Sequence, residues 1–174
     1  VLLGLTHHVQ ALREALDRGC LLLFTGNAME TLGRSVTDDQ GQVWGGLGLA
    51  DFTTVETDKR VPGDVIATPT LWETPVVGFM NKCSTTSGIT MPLFSQLPMG
   101  FGNDAEHGPE GYAVGNILAT HLTGPVLVKN PDFTDLVIRR LFVAKGWPLP
   151  EKLPVLPHER EAYAVTLREL QARL

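Results

Sequence analysis

Cysteine is almost missing from the 174 residues: there are two, Cys20 and Cys83, too few for a disulfide framework and with no metal-binding spacing. Cys20 falls in an apolar run and reads as a buried, reduced thiol. Long hydrophobic runs are missing too. None approaches the ~20 residues of a membrane span, and the opening VLLGL is too short for a secretory leader before THHVQALREAL follows it. Basic charge is scarce: 14 Lys and Arg against 19 Asp and Glu leave a net charge of −5, the wrong sign for a nucleic-acid surface. The one glycine cluster, GGLGLA at 45–50, has neither Walker nor dinucleotide spacing, so no cofactor is expected. An initiator Met is lacking as well, and the expectation is that an N-terminal portion precedes Val1. What remains is a cytoplasmic protein that is 43% apolar, long enough for one domain over 1–174.

The most informative stretch is CLLLFTGNAMETLG, 20–33. Five apolar residues without alternation predict a strand covered on both faces, central in its sheet. Thr25-Gly26-Asn27 then turns sharply into a short helix that Gly33 ends. Upstream, Val9, Leu12 and Leu16 form one stripe of a helix over 7–18, capped by Thr6 and stopped at Gly19. Helix, buried strand, helix predicts a mainly parallel α/β layer with helices on both faces.

Between Gly41 and Ile117 the composition shifts to Gly, Thr, Val and Pro. Short pieces such as DFTTVET, GDVIATP, PVVGFMN and PMGFG predict strands of mixed direction, with 82–95 as a loop. GNILATHL, 115–122, predicts another buried strand ending near His121. Asn130 and Pro131 open a helix with Phe133, Leu136, Val137 and Leu141 as its apolar face. A Pro-rich strap, LPEKLPVLP, leads to a last helix over 158–173 carrying Tyr163, Leu167, Leu170 and Leu174 on one side.

A strand breaking into a helix is how many α/β enzymes hold out a nucleophile, yet this tip carries no Cys or Ser. The residues allow two readings: a tight bend with Thr25 or Asn27 as helix cap, or a cradle for an anion or amide. Among the histidines, His7, His8, His107 and His158 fit solvated or capping roles. His121, at a strand's carboxyl end where open α/β sheets place ligands, is the candidate site residue. Lys59-Arg60 and Asn81 are further polar candidates.

In order, GLGLADFTT, KRVPGDV, VVGFMN, FGNDAEHGPEG and GNILATHLTGPVLVKNP resemble the glutamine amidotransferase domain of the cobyric acid synthase type. Within that family they are most similar to the glutaminase subunits of lipid II isoglutaminyl synthases. The resemblance covers nearly the whole chain. It implies a flavodoxin-like class I amidotransferase fold, here without its N-terminal strands and the oxyanion loop they carry. It implies glutamine hydrolysis through a cysteine thioester, with ammonia passed to a Mur-ligase-like ATP-dependent partner that amidates peptidoglycan precursors. The family's elbow reads roughly Cys-Gly-Gly-Tyr-Gln before Leu-Leu-Gly. Counting back from Leu32-Gly33 puts Gly26 at the Cys position and Glu30 at the Gln position. The family's Tyr-Leu-His-Gly-Pro stretch is HLTGP here, so Thr123 stands at the His position and His121 at the Tyr position.

Nucleophile and base are thus both replaced, which implies a subunit without glutaminase activity. The expected ligand cleft is Thr25, Gly26, Asn27, Arg60, Asn81, His121 and Thr123, open to glutamine or another small amide. The alternatives are rearranged chemistry with Thr25 as nucleophile and His121 as base, Cys83 moving in from its loop, or a domain of the corrinoid pathway.

Overall fold

The computed structural model describes residues 2–151, Leu153 and 156–174; Val1, Lys152, Pro154 and Val155 lie outside the described residues, so the sequence reading of the Pro-rich strap is followed only in part. In chain order the elements are α1 (Leu2–Thr6), α2 (Val9–Asp17), β1 (Leu22–Thr25), a 3-10 helix (Gly26–Leu32), β2 (Ser35–Thr37), β3 (Val43–Gly45), β4 (Thr53–Pro69) and β5 (Val76–Ser87). They continue with β6 (Phe94–Met99), β7 (Tyr112–Val114), β8 (Ile117–Thr120), α3 (Val126–Lys129), α4 (Pro131–Ala144) and α5 (Pro157–Gln171). No described helix is long and apolar enough to cross a membrane.

The strands form two mixed sheets, which corrects the expectation of one mostly parallel sheet. A three-stranded sheet runs β1-β8-β7, with β1 parallel to β8 and β7 antiparallel to it. A five-stranded sheet runs β3-β2-β4-β5, with β6 pairing β4 further along. Its single parallel pair is β2 with β4; the β4–β5 ladder is antiparallel. The separate short strands expected at 51–69 are one strand, β4, and Pro62-Gly63 does not break it: the ladder shifts register between Glu56 and Val61 and resumes against Lys82. The expected loop 82–95 is half strand, because Lys82 to Ser87 continue β5 through β-branched Thr85 and Thr86.

β8 is the central strand, not β1. All four β8 residues are buried, and their alternation feeds two cores. Leu118 joins Val65, Met80, Phe94, Leu122, Phe133 and Val137 in the larger one. Ile117 and Ala119 join Met29, Leu32, Leu47 and Phe52 in the other, which the α2 stripe Val9, Leu12 and Leu16 covers. β1 lies at a sheet edge with all four residues half-buried, and Cys20 ahead of it is exposed rather than buried. On the opposite face of β4 and β5, α5 packs Tyr163, Leu167 and Leu170 against Ile66 and Val77, whereas Leu174 stays exposed. Leu141 of α4 is also exposed, outside that helix's packed face.

Asn130 does not cap α4 with its side chain, as the sequence suggested. The buried amide behaves as a one-residue strand against the edge of β5. Its Oδ1 accepts from Val77 N at 2.8 Å, and its Nδ2 donates to Val77 O at 2.8 Å and to Val126 O at 2.7 Å. Asn130→Ala leaves one N–H and two carbonyls unpaired in the interior. The expected cost is about 3 kcal/mol, read as a lower urea midpoint at unchanged slope.

Candidate functional site

The turn after β1 is built on glycine for a conformational reason. Gly26 has φ +63°, a left-handed backbone that L side chains adopt only under strain. Its N–H donates to Leu122 O at 3.0 Å, which ties the turn to the residues after β8. A Cβ placed on Gly26 would lie 3.6 Å from Thr123 Cγ2, an ordinary van der Waals contact. Positions 26 and 123, distant in sequence, are therefore direct neighbours at the carboxyl ends of the parallel β1–β8 pair. Thr25 stands beside them, in register with Thr120, and Asn27 is exposed at the tip.

The glycine-rich 45–50 segment packs its backbone against the turn. Leu47 N donates to Thr31 O at 2.8 Å and Gly48 N to Gly33 O at 2.9 Å. The backbones approach so closely that a Cβ on Gly46 would sit 2.1 Å from Gly33 O.

Thr123 offers no basic group, and its one hydroxyl proton is directed to the backbone. Its N–H and its hydroxyl both donate to Phe79 O, at 2.8 and 3.0 Å. Thr25 makes no side-chain capping bond, and no histidine or carboxylate among the described residues hydrogen-bonds its hydroxyl. Arg60 and Asn81 form a separate pair on β4 and β5, joined at 3.3 Å. Arg60 lines a surface cavity of ≈ 330 Å³ with Lys59, Asp64, Phe101 and Glu106. Cys83 is held within β5, half-buried, not in a mobile loop beside the turn.

His121 is the largest departure from the sequence reading. It is wholly buried and faces inward, so it does not wall an open cleft. Its Nδ1 lies 3.0 Å from Glu110 Oε1, whose carboxylate also accepts from His121 N at 2.8 Å and, through Oε2, from Thr120 Oγ1 at 2.7 Å. On the other side His121 Nε2 lies 3.6 Å from Glu30 Oε1, at ion-pair range but too long for a hydrogen bond. That Nε2 is the one buried side-chain polar atom without a hydrogen-bond partner among the described residues.

Glu30, on the 3-10 helix, accepts from Ser84 Oγ of β5 at 2.6 Å. The fourth member, buried Lys82, donates to Gly102 O and Asn103 O at 2.5 and 3.1 Å and lies over the Phe101 ring. Burial disfavours the imidazolium of His121, but Glu110 and Glu30 outweigh it and hold its pKa above the ordinary value. Burial likewise opposes the Glu30 carboxylate, which His121, Ser84 and Lys82 together keep below its ordinary range. For Lys82 burial prevails over the attraction of Glu110, Glu30 and Asp104 and pushes the ammonium down to about 8.

Lys82 and Glu110 escaped the sequence reading, and Glu30 entered it only through the resemblance. The available signal was Lys82's place in the strand: with Met80 and Ser84 it falls on the inward face of β5, where a charge requires partners. No group of three or more His, Cys, Asp or Glu among the described residues is arranged to hold a metal ion.

The chain is 31% identical over 141 residues to subunit GatD of the glutamine-hydrolysing lipid II isoglutaminyl synthase of Staphylococcus aureus (strain N315). The alignment takes in 81% of this chain and 57% of that subunit, so the chain spans less than two thirds of its relative's length. No family model matches the sequence.

Proposed function

We propose that this chain is a glutamine amidotransferase-like subunit of the lipid II isoglutaminyl synthase kind that has no glutaminase activity. In this reading it associates, in the cytoplasm and as a single domain, with a Mur-ligase-like ATP-dependent partner that amidates a cell-wall precursor. One observation carries it: the elbow brings positions 26 and 123 into contact, but they are glycine and a threonine whose hydroxyl is committed to Phe79 O. A thioester route needs a thiolate and a base at that contact.

In this reading a small amide at the turn meets Thr25, Asn27 and Thr123, whereas Arg60 and Asn81 pair with each other on β4 and β5 and His121 is buried behind the turn. Similarity to a lipid II enzyme subunit favours the cell-wall branch over the corrinoid branch.

The test mixes the chain with a Mur-ligase-like ATP-dependent subunit and measures the mass of the eluted species. A stable complex is the expected result. Two separate peaks at micromolar concentrations, with a corrinoid-pathway synthetase retained instead, would transfer the chain to the other branch.

A further inference from the structure

Two buried carboxylates and two buried bases meet behind the turn, and they come from four separate segments of the chain. Glu30 comes from the 3-10 helix, Lys82 and Ser84 from β5 of the five-stranded sheet, and Thr120 and His121 from the end of β8 in the three-stranded sheet. Glu110 comes from the segment before β7, and the 102–104 turn presents two carbonyls and Asp104 to Lys82. With both bases protonated the four charges sum to zero, the state in which an interior tolerates them best. Each His121 nitrogen faces one carboxylate, so the ring bridges the turn to the three-stranded sheet while Ser84 links Glu30 to the other sheet.

We propose that Glu30, His121, Glu110 and Lys82 form a pH-sensitive bolt that locks the turn at 26–32 between the two sheets and loosens it when His121 loses its proton. The device rests on the cluster alone and needs no substrate or partner.

The direction on each flank follows from linkage. A carboxylate held below its ordinary range contributes stability above about pH 4.3 and loses it as pH falls; this is Glu30. An imidazole held above its ordinary value contributes fully below about pH 6.5 and loses that contribution as pH rises through its folded value; this is His121. Lys82 opposes the second, since burial favours its neutral form. The alkaline loosening is therefore carried by His121, and the bolt is tightest between about pH 4.3 and 6.5.

Two measurements on the intact chain test this. The His121 ring is titrated by NMR in the wild type and in Glu30→Gln, and amide hydrogen exchange at 26–33 is followed from pH 6 to 9 after correction for intrinsic rates. The expected results are a midpoint above that of a free imidazole, a lower midpoint in Glu30→Gln, and protection that falls about tenfold for every pH unit separating the folded midpoint from the free one. A His121 midpoint at or below 6.5, or protection at 26–33 independent of pH, overturns the proposal. So does an unchanged midpoint in a folded Glu30→Gln protein. The wild-type titration needs no variant, so the bolt stays open to refutation even if Glu30→Gln fails to fold.

Discussion

Incubated with glutamine, the purified protein is expected to release no ammonia above background, alone or with a Mur-ligase-like partner. Two losses fall on one reaction. Gly26 offers no thiol, Thr123 offers no base, and the hydroxyl that replaces the base is hydrogen-bonded to Phe79 O. Removing a single member of such a unit costs a factor of about 10⁴ or more, roughly 5 kcal/mol of transition-state stabilisation, and further removals add little because the unit is already broken. The assay discriminates among routes. Ammonia release abolished by Cys83→Ala would show that the β5 cysteine does the chemistry, although it lies within a paired strand. Release abolished by Thr25→Ala alone would show a hydroxyl nucleophile, although no base is hydrogen-bonded to it. Both substitutions are expected to be silent.

The largest loss of stability is expected for Glu110→Ala. The wholly buried carboxylate accepts three hydrogen bonds, from Thr120 Oγ1, His121 N and His121 Nδ1, and it faces Lys82. Truncation strands a hydroxyl, a backbone N–H and a ring nitrogen without partners, and leaves two buried cations sharing one carboxylate. Breaking a buried pair from one side costs about 3–5 kcal/mol, a large part of a typical domain's stability. Glu110→Gln preserves the shape and some of the bonds but removes the charge, so it is expected to lose about half as much. Urea unfolding at pH 6 measures both. A Glu110→Ala midpoint within error of wild type would mean that the cluster carries little of the fold.

Local pattern recovered the three longer helices well, because Val9, Leu12, Leu16, Phe133, Val137, Tyr163 and Leu167 repeat at helical spacing and do pack inward, but it missed α1 and α3. It failed on β1. An unbroken apolar run states which surroundings a strand suits, not how many strands flank it, and β1 lies at an edge with half-buried residues. It also divided β4, because Lys59-Arg60 and Pro62-Gly63 look like a turn, whereas a register shift absorbs them within one strand. At the site, the adjacency of positions 26 and 123 was legible only through the resemblance. The charge cluster was not legible as a cluster: Glu30, Lys82, Glu110 and His121 are spread over ninety-two positions, and no local rule relates residues so far apart.

The left-handed backbone at Gly26 gives substitution at this position a direction. Glycine sits at φ +63° without strain, whereas any L residue there is uphill by about 1–2 kcal/mol. Drift from a side chain to glycine at this position thus gains stability, and the reverse step loses it, a bias of about 5–30-fold in the folded ratio. A lone cysteine restored at 26 would carry that penalty before position 123 supplied a base, so no single substitution would be rewarded by activity. The turn behaves as a ratchet: its glycine resists replacement by a side chain even where space for one, 3.6 Å from Thr123 Cγ2, is open.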